Sequence, residues 1–154
     1  MGTKLQENCV FCKIIEGSEK AEILYENEHI ISILDINPVN FGHALVIPKK
    51  HYDDFLSLTE ELYSYLLSAV KIVAGAIMSS IEPKPGGFNI LSNNGFVAGQ
   101  RIFHVHFHVI PRYSNDGLKF KPVVKKYTDE ELKKYANLIR QKINNNFVFG
   151  TYLS

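Results

Sequence analysis

Three imidazoles alternate through the run His104-Val105-His106-Phe107-His108-Val109-Ile110. Near neutral pH an imidazole is a nucleophile, a proton carrier or a metal ligand. The β-branched and aromatic residues between the histidines predict a strand, on which alternate side chains share a face. His104, His106 and His108 then stand together, with Val105, Phe107 and Val109 packed behind them. A purely structural role would require a hydrogen-bond partner for every ring, at a cost of about 1–3 kcal/mol for each ring left without one. One catalytic ion shared by all three is disfavoured, since same-face neighbours on a strand stand roughly 7 Å apart and ligand bonds are about 2 Å long.

Just upstream, the loop Ser92 to Gln100 carries Gly95, Gly99, side-chain amides and backbone donors. It suits an oxyanion or phosphate held beside His106, and it equally suits an ordinary turn. Cys9 and Cys12 are the only cysteines, and their two-residue gap fits a metal clip or a strained disulfide better than a secreted disulfide framework.

The elements that must position these groups follow from patterning. Ala21 to Tyr25 and His29 to Leu34 alternate as two strands around the polar turn Glu26-Asn27-Glu28, and Ala44 to Ile47, ending at Pro48, makes a third. Ser57 with Glu60 forms a capping-box pattern, and Leu62, Leu66, Ala69, Val73 and Ile77 recur at helical spacing, predicting a helix from Thr59 to Ile81. Pro83, Pro85, Gly86 and Gly87 end it, and Phe88 to Ser92 is a fourth strand before the histidine run. Thr128 with Glu131 opens a second helix through Leu132, Tyr135, Leu138 and Ile139. The aromatic tail Phe147 to Leu153 would pack on this domain or on a partner subunit. The order argues for an α+β fold, a mainly antiparallel five-stranded sheet with two main helices.

At 154 residues and 45% hydrophobic content, with no repeat or linker, the chain reads as a single domain over residues 1–154. Its formal net charge of +1 gives no field to recruit nucleic acid or a membrane surface. No uninterrupted apolar run reaches the roughly 20 residues of a membrane span. Without a signal-peptide pattern near Met1 the expected compartment is the cytoplasm.

Four separated blocks resemble the histidine triad (HIT) superfamily: Gly99-Gln100-Arg101-Ile102-Phe103-His104-Val105-His106-Phe107-His108-Val109-Ile110-Pro111-Arg112, then Cys9 to Ile15, Leu34 to Pro38, and Gly42 to His51. Their order and spacing are similar to the histidine triad nucleotide-binding proteins, the nucleoside phosphoramidase branch, with core motifs over residues 8–113 and a C-terminal helix and tail over 128–154. The resemblance implies a HIT-like fold that joins into a ten-stranded sheet in a homodimer. It also implies a hydrolase or nucleotidyl transferase that cleaves at the α-phosphate of adenosine (purine) 5′-phosphoramidates or acyl-nucleotides. His106 would attack phosphorus to form a covalent nucleotidyl-His intermediate, which water resolves to a nucleoside monophosphate. The alternatives are a diadenosine polyphosphate hydrolase and a slow or inactive nucleotide-binding regulatory module.

By the same mapping, His108 with Asn93, Gln100 and the Gly99 loop would hold phosphate oxygens, and His43 would assist leaving-group protonation or orientation. Asp35 would bond the ribose, and Phe11 with Ile36 would form the base slot, although both also read as ordinary core residues. Arg101 stands where the family usually has Ser or Thr, and would either contact an anionic leaving group or point to solvent. Relatives with the same Cys pair, such as the galactose-phosphate uridylyl transferases, imply structural zinc on Cys9, Cys12, His51 and His104 and no organic cofactor. The implied partners are a purine nucleotide and a second copy of the chain, with no nucleic acid and no membrane.

Overall fold

The structure, a computed structural model, describes residues 8–119 and 122–149. They fall into two compact units, one ending at Leu118 and one beginning at Lys119. The first holds a short helix α1 (Val10–Glu16), strands β1 (Ile23–Glu26), β2 (Ile30–Leu34) and β3 (Ala44–Pro48), helix α2 (Glu60–Ser80), and strands β4 (Gly87–Leu91) and β5 (Phe107–Arg112). The second holds helix α3 (Asp129–Phe149). The expected aromatic tail lies outside the described residues beyond Phe149.

All strand pairings are antiparallel, in the order β1-β2-β3-β5-β4. The central strands are buried on both faces, which is why β2 and β3 read as nearly continuous apolar runs. Ile30, Ala44, Val46, Val105, Phe107 and Val109 face Leu62, Leu66, Val70, Val73 and Ile77 of α2. Ile31, Ile33, Leu45 and Ile47 face the other way, against Cys9, Phe11 and Cys12. Each fully buried aliphatic side chain contributes about 1.5–3 kcal/mol. Helix α2 is long and apolar enough, by length and composition, to cross a membrane. Its buried stripe is nevertheless core.

Two local readings change and one helix is added. The histidine run enters the ladder only at Phe107, which pairs with Val46. Continued, that register would set Pro48, which has no N–H, opposite Val105, and the Val105 N–H instead donates to the Tyr52 carbonyl at 2.7 Å. Ser57 does not cap α2. Its side chain and Asp54 form a reciprocal box around a 3-10 turn at Phe55–Ser57, and Thr59 is the N-cap of α2 without a side-chain bond. The N-terminal Cys segment is helical, with Gly17 closing α1 in the left-handed region. The Thr128–Glu131 box forms as expected, with Glu131 N–H donating to Thr128 Oγ1 at 3.2 Å and Thr128 N–H to Glu131 Oε2 at 2.9 Å.

A polar clasp ties the β2–β3 loop to the end of β5. Asn40 Nδ2 donates to the Pro111 carbonyl at 2.8 Å and to Asp116 Oδ2 at 3.0 Å, while Arg112 Nε donates to the same oxygen at 2.6 Å. The Asn40 carbonyl in turn accepts the His43 N–H at 3.0 Å. Gly42, at φ +90°, makes the preceding turn, where a Cβ would collide with Ile81. The bond from Arg112 holds the Asp116 carboxyl well below its ordinary value of 3.8, reinforced by Asn40 and two backbone N–H groups. A carboxyl depressed on folding contributes stability above its unfolded pKa and loses it as pH falls through the folded one. Asp116→Asn is therefore expected to lower Tm at neutral pH, with the gap to wild type closing below about pH 4. A gap that does not change with pH, measured by thermal melts from pH 7 to 2, would show that the carboxylate charge contributes nothing.

Candidate functional site

Backbone carbonyls set the histidine rings. His104 Nε2–H donates to the Pro48 carbonyl at 2.8 Å, and His106 Nδ1–H donates to the His104 carbonyl at 2.8 Å. Since a carbonyl only accepts, the neutral His106 ring keeps its lone pair on Nε2. His43 Nδ1 accepts the Val39 N–H at 3.3 Å, so its proton is on Nε2, which reaches His108 Nδ1 at 2.9 Å. His108 therefore carries its own proton on Nε2. Adjacent rings thus present opposite faces of imidazole chemistry, a lone pair on His106 and a donor on His108, with centroids 4.9 Å apart.

Burial favours the neutral form of every ring in this group. It pushes His104 down to about 4, against a raising hydrogen bond to Pro48. His108 is also pushed down to about 4, by burial first and then by the neighbouring His106 and His43. His43 and His106 are lowered by burial as well. Asp35 Oδ2 lies 3.6 Å from His43 Nε2, and Asp35 Oδ1 accepts the Asn37 N–H at 2.8 Å. Asp35, His43 and His108 bring three potential ligand atoms within 4.8 Å of one another, but the His43 Nε2–H is given to His108 at 2.9 Å, with the Asp35 carboxylate beside that bond at 3.6 Å.

His106 and His108 line a cleft of about 420 Å³, a volume suited to a small ligand. Its apolar side is Val10, Phe11, Ile14, Ala21, Ile33 and Leu45, and its polar side includes Asp35, Asn93 and Arg101, with Ile36 and Gly99 also in the wall. Phe11 serves two environments. Its ring meets His106 edge-on at 5.1 Å and His104 at 5.8 Å, and it is buried. Ile36 is 86% exposed, so it belongs to the cleft rim and not to the core. Val10 and Ile14 stand one helical turn apart, a spacing that would have exposed this wall had the Cys segment been read as a helix.

Gln100 and His43 sit differently from the sequence expectation. Gln100 is 1% exposed, and its amide is engaged by backbone: Oε1 accepts from Gly95 N–H at 2.7 Å, and Nε2 donates to the carbonyls of Asp53 at 2.6 Å and Ile102 at 3.2 Å. It holds the loop that carries Asn93 and Arg101. Gly99 closes that loop at φ +93°, a conformation that favours glycine. His43 is buried behind His108 and does not line the cleft.

Cys9, Cys12, His51 and His104 form a second group, each with one ligand atom within 4.8 Å of the others. Cys9 Sγ lies 3.4 Å from His104 Nδ1, and Cys12 Sγ lies 3.3 Å from His51 Nδ1 and 3.7 Å from His104 Nδ1. A tetrahedral zinc would hold sulfur and nitrogen about 3.5 Å apart. His51 Nε2–H donates to Asp53 Oδ1 at 3.1 Å, as His104 Nε2–H does to Pro48, so both rings turn an Nδ1 lone pair toward the thiols. The donor set fits the metal.

The sequence model of the HIT domain matches residues 16–115. The chain belongs to the HIT family. An uncharacterized HIT-like protein of Methanocaldococcus jannaschii is 48% identical over 81% of this chain and 96% of its own. The adenosine 5′-monophosphoramidase hnt1 of Schizosaccharomyces pombe is 38% identical over 88% of this chain and 98% of its own. The adenylylsulfatase HINT3 of Arabidopsis thaliana is 37% identical over 90% of this chain and 71% of its own. Among solved structures, a HIT family protein from Bacillus anthracis superposes with a TM-score of 0.78 at 45% identity, covering 88% of this chain and 97% of that one. A zinc-bound histidine triad family protein from Mycobacterium smegmatis superposes at 0.68 with 38% identity, covering 77% and 84%. The HIT relatives with named activities thus support a nucleotide hydrolase.

Proposed function

We propose that this HIT protein hydrolyses adenosine (purine) 5′-phosphoramidates and related acyl-nucleotides at the α-phosphate through a nucleotidyl-His106 intermediate. The observation that carries the reading is the His106 ring, tied through Nδ1–H to the His104 carbonyl with its Nε2 lone pair left to the cleft. His106 Nε2 attacks phosphorus, the bond to the leaving group breaks, and its electron pair departs with the amine nitrogen, which takes up a proton. Water then attacks the same phosphorus, the P–N bond to His106 breaks, and the monophosphate leaves as the neutral imidazole returns.

His108 Nε2–H donates to a nonbridging phosphate oxygen, with Asn93 and the Gly99 backbone on the same wall. His43 acts through His108, since its Nε2–H fixes which nitrogen of that ring carries the proton. Asp35 bonds the ribose hydroxyls, while Phe11, Ile36 and the apolar wall take the base. Gln100 serves by holding the loop. Cys9, Cys12, His51 and His104 would hold a structural zinc, which would tie α1 to the lead into β5. A second copy pairs along β4, an edge strand whose Phe88, Ile90 and Leu91 are exposed, to continue the sheet to ten strands.

Three outcomes are expected. His106→Ala lowers turnover of adenosine 5′-phosphoramidate by about three orders of magnitude or more while AMP binding persists, and wild type trapped during turnover carries the nucleotidyl group on His106. Near wild-type turnover by the variant would remove His106 from the chemistry. Elemental analysis finds about one zinc per chain, absent from Cys9→Ala/Cys12→Ala, whose Tm falls by about 5 °C or more. Zinc retained by that variant would refute the four-residue site. Sedimentation velocity gives a dimer for wild type and a monomer for Ile90→Lys, and a monomeric wild type would dispose of the β4 interface.

A further inference from the structure

The geometry points to Arg101 as the residue that selects leaving groups departing as oxygen anions. This inference rests on the nucleotidyl-His106 reading and deepens it. Arg101 lines the cleft together with His106 and His108. It also lines a neighbouring cavity of about 250 Å³, with Asn8, Cys9 and Phe103.

Its backbone is held by the loop, and its side chain rests on an aromatic ring. The Gln100 amide grips the peptides on both sides of the loop, and Gln100 N–H donates to the Gly95 carbonyl at 3.1 Å. The guanidinium carbon sits 5.3 Å from the centroid of the Phe96 ring. Stacking of this kind orients a cation without neutralising it. Among the described residues no carboxylate lies within ion-pair distance of Arg101. Of the two carboxylates in the cleft wall, Asp35 accepts the Asn37 N–H and faces His43, and neither it nor Glu19 is paired with Arg101. An uncompensated, planar, five-donor cation beside a phosphoryl-transfer centre is suited to a second anion.

The chemistry of the first step separates the substrates. When His106 Nε2 displaces sulfate or a nucleoside polyphosphate from the α-phosphorus, the P–O bond breaks and its electron pair stays on the leaving oxygen, which departs as an anion and needs no proton. A guanidinium there stabilises charge that grows as the bond breaks. When an amine is displaced, the electron pair on nitrogen takes a proton and no negative charge remains for Arg101 to stabilise.

The test compares AMP release from adenosine 5′-phosphosulfate, diadenosine triphosphate and adenosine 5′-phosphoramidate by the full chain, as wild type, Arg101→Gln and Arg101→Ser. The readout is the ratio of kcat/KM for each anionic substrate to that for the phosphoramidate, so that a general change in activity cancels. Loss of a charge-assisted contact lowers the ratio about 10- to 100-fold in both variants. A fall with the sulfate alone, or with the polyphosphate alone, supports the assignment and names the anion selected. An active enzyme whose ratios stay within about twofold overturns the role of Arg101 while leaving the His106 reading intact. A wild type that turns over none of the three overturns both.

Discussion

The peptide carbonyl of His104 is the point on which the site turns. It accepts the His106 Nδ1–H, and the residue that offers it is itself held through its side chain to the Pro48 carbonyl and against two thiols. One main-chain group thereby decides which nitrogen of His106 faces the cleft. A side-chain acceptor in its place would have rotamers to lose, whereas a backbone carbonyl in a buried segment is already immobilised. The candidate metal group and the candidate nucleophile are consequently successive links in one chain of hydrogen bonds.

The sheet contributes what the site cannot make for itself, a rigid floor between two differently furnished faces. One is sealed by α2 with aliphatic side chains and holds Val105, Phe107 and Val109. The opposite one packs against the short α1 and loop residues such as Ala21 and Ile102, and the cleft opens there. In this low-dielectric setting burial drives His43, His104, His106 and His108 toward neutrality, so His106 can offer a lone pair and His108 a proton at the same pH. His43, invisible to the cleft, makes that complementarity definite by donating to His108.

Much of this was legible in the residue order. Alternation of His104, His106 and His108 with apolar partners put the rings on one side, and that holds even though two of them precede the ladder, since the Phe11 ring meets both His104 and His106 while Val105 joins the core under α2. The order of strands and the span of α2 followed from periodicity, and the resemblance of four blocks led to the family. What was not legible depended on contacts distant in sequence. Gln100 looks like a ligand in a loop of amides until the Asp53 carbonyl is found 47 positions away as its acceptor. Ser57 satisfies a capping pattern with Glu60 on paper, but Asp54 competes for it three residues earlier. The seven residues of α1 are too few for a helical period to stand out, and such a segment is not stable as a helix without tertiary support.

That brevity has a kinetic side. Helix α1 joins no strand, and its polar attachments reach Cys9 to His104 across 95 residues and Cys12 to His51 across 39. Closing loops of that length sets chain entropy against docking until the distant partners are already in place. Joined to no strand, α1 depends on those distant partners for its place in the fold. Since Val10, Phe11 and Ile14 of that helix are also the wall against which a base would lie, the part of the chain that relies most on distant contacts is the part a ligand would lean on.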